Sequence, residues 1–270
     1  MSRPSQNPDM WPHPIFVINL KTSPDRRKLA AAQLRGAGLT PSFVPAVDGR
    51  ALPAAEIAAL VDADGRLRRA PKPLNAAEVG CYLSHRGIME RIVAEGLPQA
   101  LVMEDDLLTT PELAAVLAAI AAKPLPPYEM IKLGISSHRA KDFTPILPLT
   151  GTSTLVRHHN VVNSNLAYVI TRQGAQRFLS YGTPIRYPVD VAMNRAWSHG
   201  LDILAVRPWP VLPNPDFGST IGDDRYEDRE AGSVPQRLER RLRKAYDSVA
   251  KRLDVQRRLQ RDAAWRRRQG

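Results

Sequence analysis

Between Ile15 and Val206, short apolar runs alternate with Ala-rich or amphipathic stretches, and this alternation restricts the fold more than any other feature. A short apolar run closed by a turn reads as a buried strand; apolar residues at three- and four-residue spacing read as a helix. Strands are expected at residues 15–20, 42–47, 100–103, 128–133, 166–171 and 201–206. Helices are expected at 24–36, 75–95, 111–122, 172–181 and 189–198, with Asn75 and Glu78 forming a capping box at the start of the second. The stretch 136–159, with Pro145 and Pro148, reads as irregular. Such alternation predicts a three-layer α/β domain with a mainly parallel central sheet. Ligands collect at the carboxyl ends of strands in sheets of this kind, which places Asn19, Asp48 and the residues after Met103 on one edge.

The strand at 100–103 empties into Glu104-Asp105-Asp106. Three adjacent carboxylates repel, and a divalent cation that bridges to a diphosphate is one way to offset them. A solvated loop or a helix cap is the other reading. The cap explains little, because Thr110-Pro111-Glu112 already supplies a cap, a first-turn proline and an acidic first turn.

Charge and cysteine content narrow the class. The net charge is +11, but residues 234–270 hold 13 Lys/Arg against 4 Asp/Glu, and the other 233 residues hold 25 against 23. The body is nearly neutral and the tail carries the charge. Cys81 is the sole cysteine, which rules out an intramolecular disulfide and a Cys-rich zinc site and fits a reducing compartment. No apolar run approaches a membrane span, and residues 1–13, polar and proline-rich, read as a disordered N-terminus without a signal sequence. A cytoplasmic location is expected.

Neither a P-loop nor a G-x-G-x-x-G, H-E-x-x-H or G-x-S-x-G motif occurs. Asn19 with Arg26 and Arg27 puts an amide and guanidinium groups beyond the first strand, suited to a nucleotide diphosphate or to an ordinary helix start. Glu78-Val79-Gly80-Cys81-Tyr82-Leu83-Ser84-His85 places Glu78, Cys81/Tyr82 and His85 on one helix side, with Gly80 admitting a close backbone. A packed helix with internally bonded Ser84 and His85 is the competing reading.

In order, Val17-Ile18-Asn19-Leu20 with Arg26-Arg27, Pro45-Ala46-Val47-Asp48-Gly49, the Glu78–His85 block, Leu101 to Asp106, Ile131-Lys132-Leu133-Gly134 and Pro188-Val189-Asp190 resemble glycosyltransferase family 25. The resemblance runs over residues 14–213. It implies a GT-A-like fold, a UDP-sugar donor (most often galactose), a divalent cation, usually manganese (Mn2+), and inverting transfer to a saccharide or lipid-linked saccharide hydroxyl, as in lipopolysaccharide synthesis. By matching position, Asp106 and then Asp105 would hold the metal. Asn19, Arg26, Asp48, Glu104 and Asp105 would hold the donor, with Glu104 reaching the ribose. Asp190 is the preferred base for the acceptor hydroxyl, with Glu78 and His85 as rivals; an N-cap role suits Asp190 equally. Asn163 and Asn165 face the acceptor or serve turn chemistry.

Residues 214–233 read as a linker or acceptor-side loop, in which Phe217-Gly218-Ser219-Thr220-Ile221 only loosely follows the family. Residues 234–270 read as a basic amphipathic helical tail. An anionic membrane surface at the inner face of the cytoplasmic membrane is its preferred partner, ahead of helix pairing, and nucleic acid comes last. The alternative function is a non-catalytic scaffold with a degenerate transferase core, recruited by that tail to a membrane or nucleic acid.

Overall fold

The structure, a computed structural model, describes residues 11–135, 142–217 and 233–269. In chain order it contains β1 (Ile15–Asn19), α1 (Pro24–Gly36), β2 (Ser42–Pro45), a 3-10 turn (Gly49–Ala51), α2 (Ala54–Leu60), α3 (Ala63–Leu67), α4 (Ala76–Ala94), β3 (Gln99–Glu104), β4 (Leu107–Thr109) and α5 (Leu113–Ala122). There follow β5 (Met130–Gly134), β6 (Phe143–Pro148), β7 (Thr154–His158), β8 (Ala167–Thr171), α6 (Arg172–Tyr181), α7 (Val189–Asn194), α8 (Ala196–His199), β9 (Ile203–Arg207), β10 (Val211–Pro213) and α9 (Val234–Arg267).

The strands form one sheet in the order β2-β1-β3-β8-β5-β9-β7-β6, with β10 joining β5 to β4. Strict alternation divides its side chains between two cores. Ile15, Val17, Leu101, Met103 and Val169 pack under α1 and α5. Phe16, Ile18, Ala100, Val102 and Ile170 pack under α4, α6 and α7. Helices thus cover both faces, as the alternation predicts.

The sheet is mixed, which corrects the expectation of a mainly parallel one. β1, β2, β3, β5 and β9 share a direction, but β8 runs against both β3 and β5, and β7 runs against β9. An apolar run has no direction, so periodicity does not distinguish the two orientations. The inversion of β8 has a consequence for the site: its entry, not its exit, lies beside the carboxyl end of β3, where Glu104 N–H donates to Leu166 O at 2.9 Å.

The stretch expected to be irregular holds the β6–β7 hairpin. β6 is the outermost strand, where a proline costs no ladder bond, and a register shift between Pro145 and Leu147 absorbs the misfit. The capping box at α4 forms as expected, with Glu78 N–H donating to Asn75 Oδ1 at 2.8 Å and Asn75 N–H to Glu78 Oε2 at 3.1 Å. The Thr110 cap does not: α5 starts after Glu112 with no side-chain cap. Residues 1–10 lie outside the described ones, but Trp11, assigned to a disordered N-terminus, is buried in the core at 1% exposure.

α9 docks along the body. Asp262 pairs with Arg157 through both carboxylate oxygens, and Arg157 and Arg258 each reach Asp202 at 3.0 Å, all in buried surroundings. Trp265 packs against the core under α5. Nearer its start, Asp247 accepts from Arg195 at 2.8 Å and from Trp197 Nε1 at 2.9 Å. Among the described residues no helix is long and apolar enough to cross a membrane.

Candidate active site

The site is built where β1 and β3 leave the sheet together, since their parallel register sets Ile18 beside Glu104. Glu104 closes β3, and Asp105 and Asp106 make the bend into β4. Asp105 is buried and fully engaged: Asn19 Nδ2 donates to Oδ2 at 2.6 Å, and Arg26 Nη1 to Oδ1 at 3.3 Å. Burial raises its pKa even against these donors. Asp106 differs. Its Oδ1 is buried with no hydrogen-bond partner. Burial first, then the charges of Glu104 and Asp105, push its carboxyl up to about 7.

A cleft of about 110 Å³ lies against the triplet, and Arg26, Asp48, Arg50, Cys81 and Ser84 help to bound it. Its far wall depends on glycine. A Cβ on Gly80 would stand 2.4 Å from Gly49 N and 2.5 Å from Val47 O, so only glycine lets α4 meet the Val47–Gly49 turn. Ser84 completes the joint, accepting from Val47 N–H at 2.9 Å and donating to Gly80 O at 2.8 Å. Asp48 caps the 3-10 turn and binds Arg50 at 2.9 Å, and these bonds lower its pKa. On the open side, Arg26 stacks 4.9 Å from the Phe217 ring centroid, and Asn214 N–H donates to Asp106 O at 2.7 Å. Phe217 is the one residue of its loosely matching segment that is described; 218–221 lie outside.

Expected donor and metal residues therefore converge: Arg26, Asp48, Glu104, Asp105 and Asp106 share the cleft, and Asn19 holds Asp105 from below. The three base candidates separate. The carboxylate of Glu78 is taken by the capping box. His85 is wholly buried, its Nδ1 2.8 Å from Tyr168 Oη and its Nε2 3.4 Å from Glu104 Oε1. A carboxylate only accepts, so Nε2 carries the proton toward Glu104 and the Tyr168 hydroxyl donates to Nδ1. His85 thus orients Glu104 and does not meet solvent. Asp190 is half-buried, lies in the first turn of α7 rather than at its N-cap, and accepts from Val191 N–H at 2.8 Å. It does not line the cleft.

Lys132 is the residue that sequence reasoning left without a role. It is buried, and its Nζ donates to Val162 O at 2.5 Å and Ser164 O at 2.7 Å, fastening the entry of β8. Burial pulls its pKa down to about 7, while Asp190 and Glu104 pull in the opposite direction. The lysine therefore sits in the field of both carboxylates. Its signal was legible: a lone charge within an apolar strand. Beside it, Asn165 is buried with neither amide atom bonded, whereas Asn163 is exposed. Tyr168 left no signal, being one aromatic in an apolar run.

Among the described residues, two loci have the make-up to hold a metal. Asp106 offers an unsatisfied buried carboxylate oxygen among acidic neighbours, which suits a hard divalent cation. Cys81 Sγ, a ring nitrogen of His85 and a Glu104 oxygen lie within 4.8 Å of one another, a softer mixed set. A cation that also grips a diphosphate calls for oxygen ligands, and Asp106 fits it.

The strand end thus gathers three carboxylates, and an arginine paired with one of them, on one small cleft. Comparison supplies the family. The model described as glycosyltransferase family 25 (LPS biosynthesis protein) matches residues 12–193. The chain belongs to glycosyltransferase family 25. Procollagen galactosyltransferase 1 of Danio rerio is 29% identical over 65% of this chain and 30% of its own length. The probable inactive glycosyltransferase 25 family member 3 of Bos taurus is 32% identical over 70% of this chain and 33% of its own. Procollagen galactosyltransferase 2 of Homo sapiens is 29% identical over 61% of this chain and 27% of its own. The chain spans about a third of the length of the curated relatives it matches. The inositol-1-phosphate CTP transferase from T. maritima aligns with 83% of this chain and 75% of its own at 12% identity, with a TM-score of 0.36, too low to define a shared fold.

Proposed function

We propose that this chain is a metal-dependent, inverting GT-A-type hexosyltransferase. It moves a sugar, galactose by analogy with the named relatives, from a UDP-sugar to a saccharide hydroxyl of a cell-envelope glycan such as lipopolysaccharide, on the cytoplasmic side. The observation that carries this reading is Asp106: a buried, unsatisfied carboxylate oxygen at the mouth of a cleft shared with Arg26 and Asp48. A divalent cation held there, manganese in this reading, would neutralise charge on the leaving diphosphate.

The chain's own residues do the rest. Arg26, held by Asp105 and Phe217, would pair with a phosphate oxygen. Glu104, aligned by His85 and Tyr168, would accept from ribose hydroxyls. Inversion needs one displacement: the acceptor oxygen bonds to the anomeric carbon, the carbon–phosphate oxygen bond breaks, and the hydroxyl proton passes to a base. Asp190 takes that role in this reading, because Glu78 is spent on its cap and His85 is closed to solvent; it stands outside the cleft lining, linked to Glu104 by the Lys132 that both carboxylates influence.

A second reading, a scaffold with a degenerate core, is favoured by one observation: three relatives are named as inactive or probable inactive members. Turnover separates the two. UDP-hexoses are offered with manganese or with excess chelator, and hydrolysis or transfer is followed. The expected result is activity that the chelator abolishes and that Asp106→Asn lowers by about a hundredfold or more. Undiminished turnover in chelator removes the metal. Absence of turnover, together with no thermal stabilisation by any UDP-sugar, favours the scaffold.

A further inference from the structure

Helix α9 is docked the wrong way round for a helix that simply completes a core. Its inward side is polar and ionic. Glu239 reaches Arg68 at 2.6 Å, Asp247 reaches Arg195 at 2.8 Å, Asp254 pairs with Arg258 at 2.7 Å and Asp262 is buried against Arg157. Over residues 234–253 its large apolar side chains point outward, while further along Val255, Leu259 and Trp265 are partly buried. Val234, Leu238, Leu242, Tyr246, Val249 and Leu253 are 51–71% exposed, and they make up six of the eight exposed large hydrophobics among the described residues. At 100° per residue these six fall on one continuous face about 30 Å long. Isolated surface leucines need no explanation, but a continuous stripe does.

The charge around the stripe says what covers it. Arg237, Arg241 and Arg252 border one side and Arg257 the other, all exposed. All four acidic residues of the helix are committed to arginines, so the outer face offers apolar and cationic groups, a few neutral polar ones such as Ser248 and Gln256, and no unpaired carboxylate. Close to the stripe, a cavity of about 450 Å³ between α9 and the loop after α3 is lined by Arg69, Arg237, Arg240, Arg241, Arg243 and Lys244, with Asp247, already paired with Arg195, as its one carboxylate among the described residues. A second copy of the helix would bring arginines against arginines with no carboxylate in reply. A nucleic acid would answer the arginines and leave six apolar side chains in water. An anionic lipid surface answers both, with acyl chains for the stripe and phosphates for the cavity.

The geometry points to the outer face of α9 as a docking surface for an anionic membrane, with the body held to the bilayer through a helix that remains packed on it. This inference does not rest on the glycosyl-transfer reading, and its test involves no turnover. The full chain is floated with vesicles of phosphatidylcholine mixed with phosphatidylglycerol, and with vesicles of phosphatidylcholine alone, at low and raised salt. The wild type is expected to float with the anionic vesicles only, and less so as salt rises. Leu242→Glu with Tyr246→Glu should weaken this at least about tenfold, and unchanged thermal unfolding would show that both substitutions leave the fold intact. The inference is overturned by absence of flotation with anionic vesicles, or by flotation that the double variant leaves unaltered. It is equally overturned if sedimentation shows a dimer that the variant dissolves while vesicles bind neither protein, or if duplex DNA binds the wild type and vesicles do not.

Discussion

At the triplet, burial and like charge act on the same side chain. The Asp106 carboxyl ordinarily loses its proton near 3.8 and holds it to about 7 in the folded chain. A raised folded pKa means that the favourable contribution is complete below 3.8 and is lost as the pH rises through about 7. Ionised Asp106 without a cation is therefore destabilising, by an amount bounded at about 4 kcal/mol. In chelator, Asp106→Asn should keep its Tm between about pH 5 and about pH 8 better than the wild type does. Thermal unfolding at both pH values checks this; a steeper loss in the variant contradicts it. The triplet was visible in the sequence as three carboxylates after a strand. Which of them is engaged was not. Asn19 meets Asp105 across 86 positions, and only the pairing of β1 with β3 brings them together.

Among the elements, α4 carries the most information. Its capping box was legible because the Asn75–Glu78 spacing is local, and the same bonds remove Glu78 from the list of bases. Gly80 and Gly87 lie on this one helix and should respond oppositely to alanine. A Cβ at Gly80 meets the Val47–Gly49 backbone, while one at Gly87 meets nothing within 4 Å. Gly80→Ala should cost about 1–3 kcal/mol and disturb the cleft wall. Gly87→Ala should stabilise by about 0.5–1 kcal/mol, because an exposed helical glycine has only conformational freedom to lose. Denaturant unfolding of the pair is the check, and equal effects would refute the interlock. The β6–β7 hairpin was illegible for a different reason. Prolines read as breakers in an isolated segment, yet they are tolerated at the sheet edge that tertiary packing gives them.

Over the whole molecule, α9 belongs to the fold. Its buried Asp262 answers Arg157, which also serves Asp202 and so joins β7 to the residues before β9. Asp262→Ala would leave a buried guanidinium short of a partner, at a cost of about 3 kcal/mol or more. At this chain length that lowers Tm by roughly 6 °C or more. Unfolding at the wild-type temperature would mean that the helix is only loosely attached. Removing residues 234–270 would strip partners from Arg157 and Arg195 together, so point substitutions on the outer face probe the helix more cleanly than truncation.

By itself the sequence determined the layers, the two-sided burial of the strands, the α4 cap and the place of the acidic triplet. All of these follow from period, spacing and chain order, which are local quantities. The tertiary structure alone decided that β8 runs backwards, that buried Lys132 feels both Asp190 and Glu104, that His85 is enclosed between Tyr168 and Glu104, and that α9 turns its acids inward and Leu238, Leu242 and Leu253 out. Those depend on which side chains meet across distant segments, and apolar runs and charges carry neither direction nor partner until the sheet has been assembled.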